Sequence, residues 1–374
     1  MAKKAYIGID GMARKVRKSY IGVDGVARKI KKAYIGIGGV ARPCWSGAEL
    51  VYYGAVTGLG TARLLLAATS VGSYALFGGG LTNDYTNVVD AYDESLTRST
   101  PTILSQRRSE LAATSVGNYA LFGGGGGDSG GTYNKSSVVD AYNESLTRSI
   151  PAGLSYSRNT LAATTIGDYA LFGGGGIYVD AYNKSLTRSS PTSLSDALYF
   201  LAATTVGDYA LFGGGHNNSG SSSAIVFAYD KSLTQTLPTS LSVARIYLAA
   251  TGVGGYALFG GGRQKTTTYS SYSTVDAYDT HLTRTAPTEL SVARGELAAT
   301  TISEYALFGG GIAGAYYSVV DAYDANLTRT IPASLNTARG KFAATSVGNF
   351  ALFGGGISGT ELTKVATVDA YTVT

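Results

Sequence analysis

From Leu66 onward, the chain repeats one short pattern of apolar and polar positions seven times. The first copy begins with LAATSV, a run of small and apolar residues, and continues through an alternating run, YALF, which three glycines end. After a gap of variable length follows a second phrase, VVDAYDESLTRSTPTILS. Apolar runs this short, rich in β-branched and aromatic residues and bounded by glycine, predict β-strands. The copies begin at Leu66, Leu111, Leu161, Leu201, Leu248, Leu297 and Phe342.

Each copy predicts four strands, named a to d in chain order: LAATSV, YALFGGG, VVDAY and LTRS. Two-residue turns such as Gly72-Ser73 connect a to b, as in tight hairpins. A Pro-Thr-x-Leu-Ser segment leads out of strand d, because proline marks the exit from a sheet. Copies of four short strands at intervals of 40 to 50 residues predict a β-propeller, in which every copy is one blade.

The two ends of the repeat region complement each other. The segment VYYGAVTGLGTAR, which begins at Val51, matches LTRTAPTELSVAR of a later copy, so Val51–Gly54 aligns with strand d. The chain ends with VDAYTVT, just after the seventh strand c. We therefore expect the first strand to complete the last blade, which closes the ring and removes open sheet edges. The predicted fold class is all-β, a seven-bladed propeller.

Three phrases together resemble the kelch motif. They are Arg-x-x-Leu-Ala-Ala-Thr, then Tyr-Ala-Leu-Phe-Gly-Gly, then Val-Asp-Ala-Tyr-Asp, and the resemblance covers roughly residues 49–374. The chain departs from the motif on the fourth strand, where leucines such as Leu96 replace the usual tryptophan. Blade 4 departs further, with Leu198 in place of the arginine and Phe227 in place of the aspartate. The resemblance implies a seven-bladed propeller of the kelch type.

Composition and charge divide the chain into two parts. Residues 1–43 carry 11 Lys and Arg against 2 Asp, whereas the remainder carries 19 against 23 Asp and Glu. We therefore expect a basic arm, 1–46, followed by the propeller, 47–374. The single cysteine, Cys44, excludes an intramolecular disulfide. Neither a secretory signal nor a run of 18 apolar residues is present, so we expect synthesis in the cytoplasm and no membrane insertion.

The arm contains three copies of a 14-residue repeat, KAYIGIDGMARKVR in the first. Its Asp-Gly and Gly-Gly pairs predict two-residue turns between short strands, so each copy predicts one β-hairpin. The repeats resemble short motifs of phage and prophage structural proteins, and this resemblance implies an arm that docks on a virion or another assembly. Nucleic-acid binding is the less favoured alternative, and a merely solvated segment is the third. The candidate docking residues are Tyr6, Tyr20, Tyr34, Arg14, Arg28 and Arg42.

Differences between near-identical blades indicate where a function specific to one blade can lie. Two regions vary: the b–c loop and the residue pair before each strand a, from Leu64-Leu65 in blade 1 to Gly340-Lys341 in blade 7. In an up-and-down blade both emerge on one face, where loops on a rigid scaffold carry recognition. The candidate ligand-binding residues on this face are Tyr85, Tyr133, Tyr178, Tyr199, Phe200, Tyr247, Tyr269, Tyr272, Tyr316 and Tyr317. We expect both chain termini to leave from the opposite face.

The residue types that enzymes and cofactors need are sparse. Only two histidines occur, His216 and His281, far apart in the sequence, and no metal-ligand spacing is present. The glycine triplets end strands and precede no phosphate-binding helix. The aspartates of strand c, such as Asp90, recur in six of the seven blades, which indicates a role in turns or in hydrogen bonds between blades rather than in catalysis. We predict no catalytic site, no metal and no cofactor.

These observations favour a non-enzymatic binding module. The specific hypothesis is a virion-associated adhesin that recognises a cell-surface glycan or protein through its variable face. The first alternative is an intracellular scaffold for protein interactions. The second is a purely structural virion protein without a ligand.

Overall fold

The computed structural model describes backbone and side chains of residues 49–127, 132–264, 270–359 and 361–374. For residues 128–129, 265 and 269, and for six strands between Tyr6 and Ser46, it describes the backbone. All regular structure in these ranges is β-strand, and they contain no helix that could cross a membrane. The chain divides into two compact units, Met1–Val51 with Val373–Thr374, and Tyr52–Thr372.

Seven four-stranded antiparallel sheets follow one another along the chain, each with the strand order a–b–c–d. In this order the strands are Ala67–Val71, Tyr74–Gly78, Val89–Asp93 and Arg98–Ser99 in blade 1; Ala112–Val116, Tyr119–Gly123, Val139–Asn143 and Arg148–Ser149 in blade 2; Leu161–Ile166, Tyr169–Gly174, Val179–Asn183 and Arg188–Ser189 in blade 3; Ala202–Val206, Tyr209–Gly213, Val226–Asp230 and Gln235–Thr236 in blade 4; Ala249–Val253, Tyr256–Gly260, Val275–Tyr278 and Arg284–Thr285 in blade 5; Ala298–Ile302, Tyr305–Gly309, Val320–Asp324 and Arg329–Thr330 in blade 6; and Ala343–Val347, Phe350–Gly354, Val368–Val373 and Leu50–Val56 in blade 7. The predicted seven-bladed, all-β propeller is confirmed.

Blade 7 takes its outer strand from the start of the repeat region. Leu50–Val56 pairs with Val368–Val373, as the complementary ends predict. Glu49 and Thr374 then exchange two backbone hydrogen bonds, each 3.0 Å long. The first and last strands of the propeller thus lie side by side in one sheet.

In blades 1 to 6, strand d is shorter than the sequence pattern predicts. The predicted strand LTRS reduces to two residues, Arg98–Ser99 in blade 1. The Asp93 carboxylate accepts hydrogen bonds from the backbone N–H groups of Ser95 and Thr97, and Leu96 adopts a left-handed conformation with φ of 65°. This side-chain-capped turn competes with strand geometry. The same turn recurs in blades 2 to 6, where Asn or Asp accepts the bonds.

The first glycine of each triplet lets neighbouring blades pack closely. A Cβ atom on Gly78 would lie 2.7 Å from Cε1 of Phe122 in the next blade. The same relation holds at every blade boundary and returns from blade 7 to blade 1, where a Cβ on Gly354 would lie 2.8 Å from Cε1 of Phe77. The phenylalanine ring of each blade therefore fills the space that a side chain on the preceding blade would occupy.

Buried ion pairs hold the connection between blades against strand c. Arg63 and Asp90 in blade 1 are both fully buried, with 2.8 Å between Nη1 and Oδ2. The Asp90 carboxylate also accepts a hydrogen bond from the N–H of Gly60, on the incoming connection. The recurring aspartates thus serve the scaffold, as expected, and their main partner is a buried arginine. The corresponding pairs are Arg108–Asp140, Arg158–Asp180, Arg245–Asp276, Arg294–Asp321 and Arg339–Asp369.

Blade 4 replaces its ion pair with apolar side chains. Leu198 and Phe227 stand where the other blades have arginine and aspartate, and both are fully buried in one hydrophobic cluster. Gln235 stands where the outer strand of most blades carries a second arginine. All three charged residues are exchanged together, so neither member of the ion pair is left in blade 4 without its partner.

The N-terminal unit contains three two-stranded hairpins, as the 14-residue repeats predict. Their strands pair in the antiparallel sense, and the third hairpin contains a register shift between Ala33 and Tyr34. The turns themselves and the side chains of the six candidate docking residues lie outside the described residues. The paired strands are Tyr6–Ile9 with Met12–Lys15, Tyr20–Val23 with Val26–Lys29, and Lys32–Ile37 with Val40–Ser46.

Candidate functional site

The two variable regions of a blade are hydrogen-bonded to each other. In blade 1 the N–H of Leu64 donates to the carbonyl of Leu81, the first residue of the b–c loop, and the N–H of Leu81 donates back. Equivalent bridges join the two regions in blades 2, 4, 5, 6 and 7. The b–c loops and the residues before strand a therefore form one continuous surface. Four b–c loops add a small hairpin, Gly126–Ser129 with Thr132–Lys135, Arg263–Lys265 with Tyr269–Ser271, Ile312–Ala313 with Ala315–Tyr316, and Ile357–Ser358 with Thr363–Lys364.

At the centre of this surface, one residue of every blade adopts a left-handed backbone conformation. None of the seven is glycine, and their φ angles lie between 54° and 57°. This region is uncommon for residues with a side chain and costs roughly 1 kcal/mol or more at each position. We call these the mouth residues: Leu65, Glu110, Thr160, Phe200, Tyr247, Glu296 and Lys341.

A closed ring of backbone hydrogen bonds fixes this conformation. The N–H of Glu110 donates to the carbonyl of Leu65 at 3.0 Å, and every further mouth residue donates to the one in the preceding blade. The N–H of Leu65 donates to the carbonyl of Lys341 at 2.9 Å and completes the circle. Seven bonds of 2.9 to 3.2 Å thus offset the cost of the strained backbone.

The mouth residues open into a cavity of about 270 Å³. Its wall is completed by the next residue of each blade, all of them apolar and nearly buried. Below them, threonine hydroxyls bond strands a of neighbouring blades to each other, as between Thr114 and Thr165 at 2.8 Å. The apolar residues of the wall, here called the collar, are Leu66, Leu111, Leu161, Leu201, Leu248, Leu297 and Phe342.

One side of the mouth is aromatic. The rings of Phe200 and Tyr247 have centroids 4.5 Å apart and are tilted by 52°. Next to them, the His216 imidazole stacks on Tyr199 with centroids 5.4 Å apart, and it lies 5.6 Å from the ring of Phe200. The Lys135 ammonium lies 5.6 Å from the centroid of the Tyr199 ring. The structure thus brings together the three predicted residues of blades 4 and 5.

A second part of the mouth carries a neutralised carboxylate. Glu296 accepts a hydrogen bond from Nη1 of Arg263 at 2.9 Å, and both side chains are about nine-tenths buried. The Lys341 ammonium lies 3.5 Å from the other carboxylate oxygen. Nearby, burial raises the pKa of Tyr316, and the negative charge of Glu296 raises it further. Two cations therefore balance this glutamate.

The third part of the mouth centres on Glu110. Its Oε2 accepts a hydrogen bond from Nδ2 of Asn159 at 2.6 Å, and the same amide donates to the hydroxyl of Tyr133 at 2.7 Å. Burial raises the pKa of Tyr133 to about 12, and Glu110 adds to the shift. The Tyr133 side chain folds over Gly126, where a Cβ atom would lie in direct collision with its hydroxyl. Glycine at this position is what allows the tyrosine to reach the mouth.

The other predicted tyrosines form pairs or local contacts away from the cavity. Tyr85 lies beside Tyr133 with ring centroids 6.1 Å apart, and Tyr178 stacks on Tyr156 at 3.7 Å. A hydrogen bond between these two hydroxyls raises the pKa of Tyr178. Tyr272 donates to the side-chain oxygen of Gln264 at 2.5 Å. Tyr317 is half-buried on the same face, and the side chain of Tyr269 lies outside the described residues.

The ten candidate residues chosen from the sequence are all aromatic, so the charged residues at the mouth were missed. Glu110, Glu296 and Lys341 belong to the residue pairs that vary between blades, yet aromatic content alone selected Phe200 and Tyr247 from that set. The useful signal was position: the mouth residue always comes directly before the collar residue. Asn159 has the same signal, because it belongs to the variable pair before strand a of blade 3. Arg263 begins a variable b–c loop, but its contact with Glu296 depends on how that loop folds.

Among the residues whose side chains the structure describes, neither histidine belongs to a group of metal-binding side chains. His216 lies in the aromatic cluster, with Nδ1 2.8 Å from the carbonyl of Asn217, and His281 lies in a turn between strands c and d. In the described ranges, no three His, Cys, Asp or Glu side chains come together as metal ligands would.

Comparison with known proteins identifies the fold. No protein-family model matches the chain, and no curated protein sequence matches it either. Among 881 matching chains of solved structures is that of YjhT, with a TM-score of 0.61 and 13% sequence identity. The match covers 74% of this chain and 99% of YjhT. At this identity the likeness shows the β-propeller fold, while kelch membership remains a prediction from the repeated motif.

Proposed function

We propose that the propeller is a non-catalytic binding module whose recognition surface is the face of the b–c loops, centred on the mouth. The observation that supports this proposal is a contrast between adjacent positions. The collar residue is leucine in six blades and phenylalanine in the seventh, whereas the mouth residue directly before it is apolar, aromatic, hydroxylic or charged. A scaffold alone would have no use for such variety at seven strained positions, so it supports recognition of a ligand.

The chemistry of the face favours a sugar. Glycans present apolar ring faces that pack on aromatic side chains, and hydroxyl groups that need fixed hydrogen-bond partners. The face offers the first through Phe200, Tyr247 and the stacked pair Tyr156–Tyr178. Carboxylate and amide groups next to the cavity, on Glu110 and Asn159, offer the second. Large rigid aromatic rings beside adaptable polar groups are typical of binding surfaces.

The biological setting that we propose is attachment of a virion to a cell surface. The 14-residue repeats of the arm resemble phage structural motifs, and their basic charge suits docking on a larger assembly. A single mouth cavity of about 270 Å³ would bind a surface glycan weakly. Many copies on one particle would raise the effective affinity by about 10² to 10⁴.

The test is a cell-binding and glycan-array assay with the full-length chain displayed on beads. Tyr199→Ala, Phe200→Ala and Tyr247→Ala together remove the aromatic side of the mouth, and we expect saturable binding to fall to background. A matched control removes three exposed apolar side chains elsewhere, Ile150→Ala, Leu237→Ala and Ile331→Ala. We expect this control to bind like the unchanged chain.

Two outcomes would contradict the proposal. Binding that survives the aromatic triple substitution would show that the mouth is not the recognition surface. Failure to bind any cell or glycan, combined with recovery of one defined intracellular protein that needs the same three residues, would support an interaction scaffold instead.

A further inference from the structure

The two glutamates of the mouth differ in their electrostatic surroundings. Glu296 has Arg263 at 2.9 Å and Lys341 at 3.5 Å. The described part of the chain places no lysine, arginine or histidine nitrogen within 4 Å of the Glu110 carboxylate, which accepts its hydrogen bond from a neutral amide, that of Asn159. Glu110 is therefore the carboxylate at this cavity that lacks a cationic partner.

Glu110 shares its cavity with the aromatic pair. Both Glu110 and the rings of Phe200 and Tyr247 line the same space of about 270 Å³. Aromatic faces attract cations through the negative potential above the ring, and a carboxylate attracts them by charge. The remaining wall is the apolar collar. The cavity thus combines a carboxylate that the described residues leave without a cation within 4 Å with aromatic and apolar surface.

The size of the cavity restricts the ligand to a compact group. Pockets for drug-sized molecules hold roughly 300 to 1,000 Å³, and this cavity lies just below that range. One sugar ring or one short side chain fits these limits, whereas a branched oligosaccharide has to remain on the surrounding loops. An ammonium group bound at Glu110 must also avoid the like charge of Lys341, which pairs with Glu296 in the same mouth.

We infer that the mouth takes the free ammonium group of an amino sugar, held by the Glu110 carboxylate, with the sugar ring against Phe200 and Tyr247. This inference rests on the proposed function and specifies its ligand class. A sugar whose amine is acetylated, or replaced by a hydroxyl, lacks the positive charge that Glu110 would balance. The site should therefore prefer the free amine over both.

The experiment compares glucosamine, N-acetylglucosamine and glucose as ligands of the full-length chain by titration calorimetry at neutral pH. We expect glucosamine to bind about tenfold more tightly than the two uncharged sugars. Glu110→Gln keeps an oxygen that can accept the bond from Asn159, but it removes the charge, so we expect this preference to disappear. The matched control is Glu144→Gln, an equal change of charge at an exposed position in the same blade, which should retain the preference.

The outcomes separate this inference from the proposed function. Equal binding of all three sugars, or a preference that Glu110→Gln leaves intact, would overturn the inference. If the aromatic triple substitution still abolished cell binding in that case, the proposed function would stand. If none of the three sugars bound at high millimolar concentration, the inference would also be overturned. If the unchanged full-length chain also failed to bind any cell or glycan, the proposed function would be overturned too.

Discussion

The hydroxyl of Tyr52 donates a 2.6 Å hydrogen bond to Oδ1 of Asp369, 317 residues further along the chain. Burial raises the pKa of Tyr52, and the bond to Asp369 raises it further, so the hydroxyl remains a donor at any physiological pH. In blades 1, 3 and 5, an arginine of strand d donates to Oδ1 of the equivalent aspartate of its own blade. Tyr52 takes over this role in blade 7 and fastens the first strand of the propeller to the last.

The closing strand should be essential to stability, whereas the arm should not be. Deleting residues 1–56 removes the outer strand of blade 7 and exposes the edge of Val368–Val373. At roughly 1 kcal/mol for each lost ladder bond, we expect a clearly lower melting temperature or association through the open edge. Deleting residues 1–46 leaves the strand in place and is the matched control. Equal melting temperatures and monomeric behaviour of both truncations would contradict this prediction.

The glycine at each blade boundary should not tolerate a methyl group. A Cβ on Gly260 would lie 2.8 Å from Cε1 of the fully buried Phe308, so Gly260→Ala must displace the ring. We expect a loss of about 1 to 3 kcal/mol in chemical denaturation. Gly252→Ser in the same blade is the control, because serine occupies the equivalent position in three other blades. A Gly260→Ala variant as stable as this control would refute the close-packing explanation.

Blade 4 predicts how the buried ion pairs can be replaced. Burial lowers the pKa of Arg245 while Asp276 opposes the shift, so the pair depends on both partners. Asp276→Ala leaves a buried arginine uncompensated and should cost about 3 to 5 kcal/mol. Arg245→Leu, Asp276→Phe and Arg284→Gln together copy blade 4, and we expect this triple variant to recover most of the loss. The measurement is the free energy of unfolding of both variants in urea. A triple variant less stable than Asp276→Ala would contradict the interpretation that apolar side chains can replace the buried ion pair.

The same aspartate should make the propeller sensitive to acid. Burial raises the pKa of Asp276, but Arg245 and several hydrogen bonds outweigh it and hold the pKa below the ordinary value. A lowered pKa contributes stability above the unfolded-state pKa of about 3.9, and this contribution is lost as pH falls through the lower folded value. We therefore expect the melting temperature to decrease as the pH is lowered below about 4. The decrease should be less steep in the triple variant of blade 5, which lacks Asp276. If the melting temperatures of the unchanged chain and the triple variant depended on pH in the same way, Asp276 would be excluded as a source of the acid sensitivity.

The repeated pattern predicted the architecture because the same packing problem recurs seven times. The matching ends of the repeat region predicted the closure of blade 7. The predicted length of strand d was wrong, because the Asp93 side chain caps a turn that takes the place of the start of the strand. Hydrophobic patterning gives no information about such a local competition.

The candidate site was predictable in position but not in composition. Comparison between blades located the variable face, because the residue pair before strand a differs from blade to blade while the strand beside it stays nearly constant. The pairing of Arg263 with Glu296 depends on loop conformation. So does the position of Glu110, where the described residues place no cation within 4 Å. No local pattern encodes those conformations, so the electrostatic asymmetry of the mouth emerges only from the structure.

At a mouth residue, the left-handed backbone should make a glycine variant more stable than an alanine variant, which is the reverse of the usual order. In a helix or a strand, glycine is roughly 0.5 to 1 kcal/mol less stable than alanine, because it loses more conformational freedom. Thr160 has a φ of 54°, which glycine adopts without strain and alanine does not. Both substitutions remove the Thr160 hydroxyl and its bond to Asn159, so comparing them isolates the backbone. We expect Thr160→Gly to be about 1 kcal/mol more stable than Thr160→Ala in urea denaturation. The opposite order would show that the hydrogen-bonded ring imposes no strain. Side chains at the mouth would then carry no energetic cost that recognition of a ligand has to explain.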